Sequence, residues 1–315
     1  MLQTTLARSL LTLVLLALLA LGPSHTDARG QPKACGSDIR PIEVNKTTLH
    51  YFECGQGEPL IFVHGGLGDL HTFREQVEAF ATSFRVIAYS RRYYVPNSPH
   101  RAGDKTNPFN THIADLAALA RTLKATPAHV VAHSGGAYIA LGLAVEQPEL
   151  VRSLVLGEPP VLPLLSRTSV GDAARKSWVT RVLAPAGQAL DGGNVEEGLR
   201  RFFNGLCGTP CFDGFPQARR TELIEKDGPA FRSELLMDVS ADQPSLACEK
   251  LGELKCPTLL VTGERSPAVL LMVTAELERC LEGERQVMVP DAGHGMHSQN
   301  VAFYNQTVMP FLQGR

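Results

Sequence analysis

Six short apolar runs, at 60–63, 86–89, 130–132, 154–156, 259–261 and 287–289, punctuate the chain. Most are continuous rather than alternating, the pattern of strands buried on both faces, as in a parallel sheet. Ahead of them, 42–44 and 49–52 flank Asn45-Lys46-Thr47 and predict an antiparallel hairpin. Helical periodicity fills the intervals at 73–81, 113–123, 138–145, 269–281 and 301–311; in the second, apolar residues recur at 113, 116, 119, 120 and 123. Strand–helix alternation of this kind predicts a doubly wound α/β sheet with right-handed crossovers.

The alternation breaks once. Residues 159–255 carry helical segments, such as 199–203 and 235–239, with Gly and Pro between them and no clear strand. An insertion there would lie over the strand ends where ligands bind in open α/β sheets. It is therefore expected to be a helical lid or cap, inserted after the sixth strand and dividing the core into 29–158 and 256–315.

The first 28 residues are set apart as an expected secretory signal peptide. Arg8 is the only charge among the first 20, and the run 10–21 has a single polar residue, Thr12. Twelve residues span about 18 Å as a helix, short of a ~30 Å hydrocarbon core. Gly22-Pro23-Ser24 ends the run, and Thr26-Asp27-Ala28 offers a small-residue cleavage site, with Ala20 as an earlier option. Export to the periplasm or medium is expected, with no stable membrane insertion after cleavage. The seven Cys, at 35, 54, 207, 211, 248, 256 and 280, contain no C-x-x-C pair and allow up to three disulfides; 35/54 and 207/211, close in sequence, are the first pairs to consider. A net charge of -2, from 30 basic and 32 acidic residues, argues against nucleic-acid binding. The expected partner is a small-molecule substrate; oligomeric state is not readable.

Three motifs carry chemistry. In Val130-Val131-Ala132-His133-Ser134-Gly135-Gly136-Ala137 a buried strand runs into a Ser and a small-residue helix follows. A Ser on such a strained turn needs small neighbours two positions away, here Ala132 and Gly136. His64-Gly65-Gly66-Leu67-Gly68 follows the 60–63 strand; backbone N–H groups of Gly66 or Leu67, with that of Gly135, would form an oxyanion hole. Neither a G-x-G-x-x-G spacing nor a P-loop Lys accompanies it. After the last strand comes Pro290-Asp291-Ala292-Gly293-His294-Gly295, which puts an imidazole at the same sheet edge. A ring titrating near 6.5 is a natural base for a Ser; His294 is preferred to His297 for its flanking Gly residues.

Together these motifs resemble the α/β-hydrolase superfamily over nearly all of 42–313. The resemblance implies a nucleophile–acid–base order along the chain. Many members place an Asp three residues after the Gly that ends the penultimate strand, but here position 266 is Ser. Two carboxylates remain: Glu158, after the strand that follows the nucleophile strand, and Glu264, after Gly263. Some dehalogenases, lipases and lactonases place the acid where Glu158 lies, so Glu158 is preferred.

The segment Tyr89-Ser90-Arg91-Arg92-Tyr93-Tyr94-Val95-Pro96-Asn97 replaces the D-x-R-G-x-G-x-S stretch of many relatives. Tyr93, Tyr94 and His133 are expected near the substrate, Arg92 as an anchor, and His71 and Phe73 as packing residues. The implied activity is a serine hydrolase cleaving an ester, lactone or related acyl bond through Ser134, His294 and Glu158, with no metal or organic cofactor. C–C bond cleavage, a cofactor-free haloperoxidase-like activity, and non-enzymatic binding of a small molecule are the alternatives.

Overall fold

The computed structural model describes residues 35–98, 108–237, 246–282 and 285–314. The expected leader lies outside these residues, as does 238–239 of the expected 235–239 helix. Eight strands form one sheet: β1 (Arg40–Val44), β2 (Thr47–Cys54), β3 (Glu58–Val63), β4 (Phe84–Tyr89), β5 (Ala128–His133), β6 (Val151–Gly157), β7 (Thr258–Gly263) and β8 (Arg285–Val289). Their spatial order is β1-β2-β4-β3-β5-β6-β7-β8. β1 pairs antiparallel with β2 and β2 with β4; every later pairing is parallel. The hairpin turns on Asn45 and Lys46, both at positive φ (43° and 60°), as a two-residue turn matched to strand twist requires. The doubly wound sheet with its antiparallel N-terminal hairpin is as the patterning predicts.

Two apolar layers cover the sheet. On one face the strands pack against α1 (Arg74–Ala81) and the C-terminal helix; on the other they pack against α2 (Pro108–Thr122) and α3 (Gly135–Glu146). α3 has apolar residues on every side and is buried on nearly every side, as a helix at the centre of a core must be. It lies so close to β3 that a Cβ at Gly136 would meet the carbonyl oxygens of His64 and Val63. β8 departs from the expectation of a fully buried strand: it is the sheet's edge, and Met288 is 48% exposed.

Between β6 and β7 the chain passes through α4 (Ser169–Trp178), α5 (Ala184–Asp191), α6 (Val195–Cys207), α7 (Gln217–Glu222), α8 (Gly228–Met237) and α9 (Cys248–Leu251). This segment has its own apolar centre, where Ala186, Leu190, Leu199, Phe212, Leu223 and Phe231 pack with Leu67 of the core. After β7 come α10 (Ala268–Cys280), α11 (Met296–Gln299) and α12 (Val301–Leu312).

Disulfides join Cys35 to Cys54 and Cys207 to Cys211, the two pairs expected, and a third joins Cys248 of α9 to Cys280 of α10. Cys256 stays outside these bridges. The third bridge closes a loop of sequence separation 32. Chain entropy assigns such a closure about 4 kcal/mol. Replacing both Cys248 and Cys280 by Ala is expected to lower unfolding free energy by a few kcal/mol in urea titration; an unchanged midpoint would show that the bridge adds nothing to stability.

Candidate active site

The loops at the C-terminal edge of the parallel strands carry the candidate residues, and the backbone there is strained. Five of the nine non-glycine residues with positive φ among those described lie on this rim: Leu67, Tyr93, Ser134, Glu158 and Asp291. Such conformations cost about 1–3 kcal/mol each and persist only where surrounding structure imposes them. Ser134 sits at φ 53°, ψ -126°, with its N–H donating to Gly157 O at 2.7 Å. The ladder between β5 and β6 thus continues one residue past β5, and the turn then throws the side chain outward.

Glu158 does the same for β6. It is fully buried at φ 47°, and its two carboxylate oxygens have separate tasks. Gly263 N–H donates to Oε1 at 2.9 Å, and His294 Nδ1–H donates to Oε2 at 2.6 Å. The ring tautomer follows from the partner: a carboxylate on Nδ1 leaves Nε2 as the acceptor. Gly263 is needed where it stands, because a Cβ there would strike the carbonyls of Ala292 and Gly293, just before His294. Glu264 is elsewhere. It is exposed, and its Oε2 accepts from Asp291 N–H at 2.9 Å.

Ser134 and His294 open onto one cavity of about 380 Å³, within the range of small-molecule sites. Gly66, Leu67, Gly135 and His133 also line it. The N–H groups of Gly66, Leu67 and Gly135 have no protein acceptor among the described residues. The loop bearing the first two is fixed by His64, which is buried: its Nδ1–H donates to Gly65 O at 2.7 Å, and its Nε2 accepts Arg91 N–H at 2.8 Å. Burial, reinforced by the Arg91 charge, holds the His64 imidazole well below its usual range, consistent with this neutral form.

One further imidazole, His133, packs against His294, and a second, His297, packs against His133. His133 Nε2–H donates to His294 O at 2.7 Å, and its ring lies 4.6 Å from that of His294 and 4.7 Å from that of His297. Burial first, then the His294 and His297 charges, keep His133 well below the usual range. His297 is buried against Phe73 and Tyr304, away from the cavity lining, and burial pulls it down to about 4.

Tyr93 and Tyr94 are not in the cavity lining. Tyr94 stands one layer behind it, because its hydroxyl donates to Glu234, a lining residue from α8. Arg92 is anchored on buried Asp115 at 2.8 and 2.7 Å. His71 stacks on Phe52, and Phe73 stacks on Phe62. The residues missed from sequence are Arg91 and Glu234. Arg91 is fully buried, and its Nη2 donates to Glu234 Oε2 at 2.9 Å across a separation of 143 residues. A sequence signal existed: Glu234 shares an apolar helical spacing with Phe231 and Leu235, an odd place for an acid.

Residues 58–301 match the model of the alpha/beta hydrolase fold family. The chain belongs to that family. It is 23% identical over 274 residues to (E)-2-((N-methylformamido)methylene)succinate hydrolase of Acinetobacter baylyi, covering 85% of this chain and 95% of that protein. Among solved structures it is similar to Est816, described as an N-acyl homoserine lactone degrading enzyme (TM-score 0.68, 18% identity, 86% of this chain and 100% of that one). It is also similar to epoxide hydrolase VrEH1 of Vigna radiata (TM-score 0.69, 18% identity, 88% and 98%). Family and relatives together support hydrolase activity.

The His297 depression gives stability a pH dependence. Its folded value of about 4 lies below the 6.5 of an unfolded chain, so the unfolded state binds more protons between those values. Its contribution is complete above pH 6.5 and is lost as pH falls towards 4, amounting to at most about 3 kcal/mol. Between pH 7.5 and 5, Tm is expected to fall more in the wild type than in His297→Gln; parallel curves in differential scanning calorimetry would refute the assignment.

Proposed function

We propose that the protein is a serine hydrolase that cleaves a carboxylic ester, lactone or related acyl bond of a small molecule through an acyl-enzyme. The observation that carries this reading is the Glu158–His294 pair, buried on the acid side, on the cavity that Ser134 enters from a strained turn. In this reading Ser134 Oγ attacks the carbonyl carbon while His294 Nε2 takes its proton. Glu158 holds Nδ1–H and balances the imidazolium charge. The N–H groups of Gly66 or Leu67 and of Gly135 receive the developing oxyanion. His294 then protonates the leaving oxygen and draws a proton from water for deacylation. A Ser at 134 has no carboxylate with which to form the ester intermediate of epoxide opening, which favours acyl transfer over that chemistry of the structural neighbour.

The helices of 159–255 act in this proposal as a lid, their aromatic side chains forming the apolar wall of the cavity. Export of the mature chain is part of the same reading. Three disulfides suit an oxidising compartment, and no helix among the described residues is long and apolar enough to cross a membrane.

Ser134→Ala is expected to lower kcat on phenyl butanoate by about a millionfold and to abolish labelling by a fluorophosphonate probe. Retention of both would end the proposal. Glu158→Gln should lower kcat by about 10⁴-fold, whereas Glu264→Gln should leave it at the wild-type level. The reverse pattern would transfer the acid's role to Glu264.

A further inference from the structure

The cap contributes one buried acid to the cavity, and its two oxygens are unequally used. Arg91 Nη2 and the Tyr94 hydroxyl both donate to Glu234 Oε2. No described residue donates to Oε1, although Glu234 is only 7% exposed and lines the cavity. Oε1 is thus the acceptor that Glu234 offers to the cavity, open to a donor that enters it.

Its location specifies where that partner must be. A Cβ built on Gly135 would fall almost on Glu234 Oε1 and 3.9 Å from Gly66 N; one built on Gly66 would be 3.7 Å from the same oxygen. Oε1 therefore stands close to Gly135 and Gly66, whose N–H groups are assigned to the oxyanion. An acyl group whose carbonyl oxygen meets those N–H groups, with its carbonyl carbon at Ser134, has the atoms bonded to that carbon within the same cavity that Glu234 lines.

Charge narrows the partner further. Arg91 already balances Glu234, and Arg91 Nε and Nη1 have no acceptor among the described residues. A substrate ammonium would add an uncompensated positive charge to a mostly apolar cavity. A neutral donor adds none. Space favours a small one, since the Phe231 ring would sit 2.9 Å from a Cβ on Gly66. We infer that Glu234 Oε1 accepts a hydrogen bond from a hydroxyl on the carbon next to the scissile carbonyl, so that the substrates are 2-hydroxyacyl esters or lactones. This inference rests on the acyl-transfer reading above.

The test compares phenyl butanoate with the separate enantiomers of phenyl 2-hydroxybutanoate and phenyl 2-methoxybutanoate, assayed on the mature protein. Oxygen on the second carbon activates both substituted esters inductively, but only the hydroxy ester can donate. For one enantiomer, kcat/KM of the hydroxy ester is expected to exceed that of its methoxy counterpart by about 10- to 100-fold, the range of a hydrogen bond to a charged group. In Glu234→Gln, and in a double variant carrying Arg91→Met and Glu234→Leu, that ratio should fall at least tenfold. The double variant removes both buried charges, so neither is left unpaired. Because the readout is a ratio within each protein, a general loss of activity does not imitate the effect. Equal wild-type rates for the hydroxy and methoxy esters, with phenyl butanoate turned over, would overturn this inference and leave the acyl-transfer reading standing. A preserved ratio in a folded Glu234 variant would overturn it as well. No turnover of any ester would remove both.

Discussion

The carboxylate of Glu158 ties three strand ends together, and the rim depends on it. One oxygen is fixed by the N–H of Gly263 at the end of β7, the other by the ring of His294 beyond β8, while its own backbone turns sharply off β6. Residues 136 apart in sequence are thereby set in contact without a water between them. The acid is completely buried, so its charge needs both donors to be tolerable. The bare glycine at 263 lets the His294 loop come close enough for the second of them.

That arrangement accounts for the sequence at the rim. Small residues stand where backbones approach: Gly136 under β3 and Gly263 under the His294 loop. The apolar runs of β3 to β7 provide the rigid floor from which the turns depart, and the ladder from Ser134 N–H to Gly157 O extends that rigidity into the turn itself. Imposing left-handed backbone on Leu67, Ser134 and Glu158 requires a frame that cannot relax, which a sheet buried on both faces supplies.

Much of this was legible from the chain. Continuous apolar runs with helical intervals specify a parallel sheet because two-sided burial removes alternation. The turn motifs at 64–68, 132–136 and 290–295 fall on strand ends, so one rim could be inferred without coordinates. With Ser at 266, the placement of the acid in some dehalogenases, lipases and lactonases points to Glu158 ahead of Glu264. Illegible were the contacts made by the helices between β6 and β7. Nothing local tells which face of α8 meets β4's end, so the pairing of Glu234 with Arg91 is not written in either segment alone. The Cys248–Cys280 bridge was hidden for a similar reason: it depends on how α9 lies on α10. Those helices bury faces chosen by their neighbours in space, whereas strand-end turns are dictated by residues adjacent in sequence.

The company kept by His294 has one more implication. Its ring touches an imidazole whose surroundings oppose protonation, and a second lies behind that one. Aromatic bulk is thus packed around His294 without adding a cation beside it. A positive charge arising on His294 meets the buried Glu158 carboxylate on one side and the uncharged His133 ring on another, so its nearest countercharge is the acid and the flanking ring adds no competing cation.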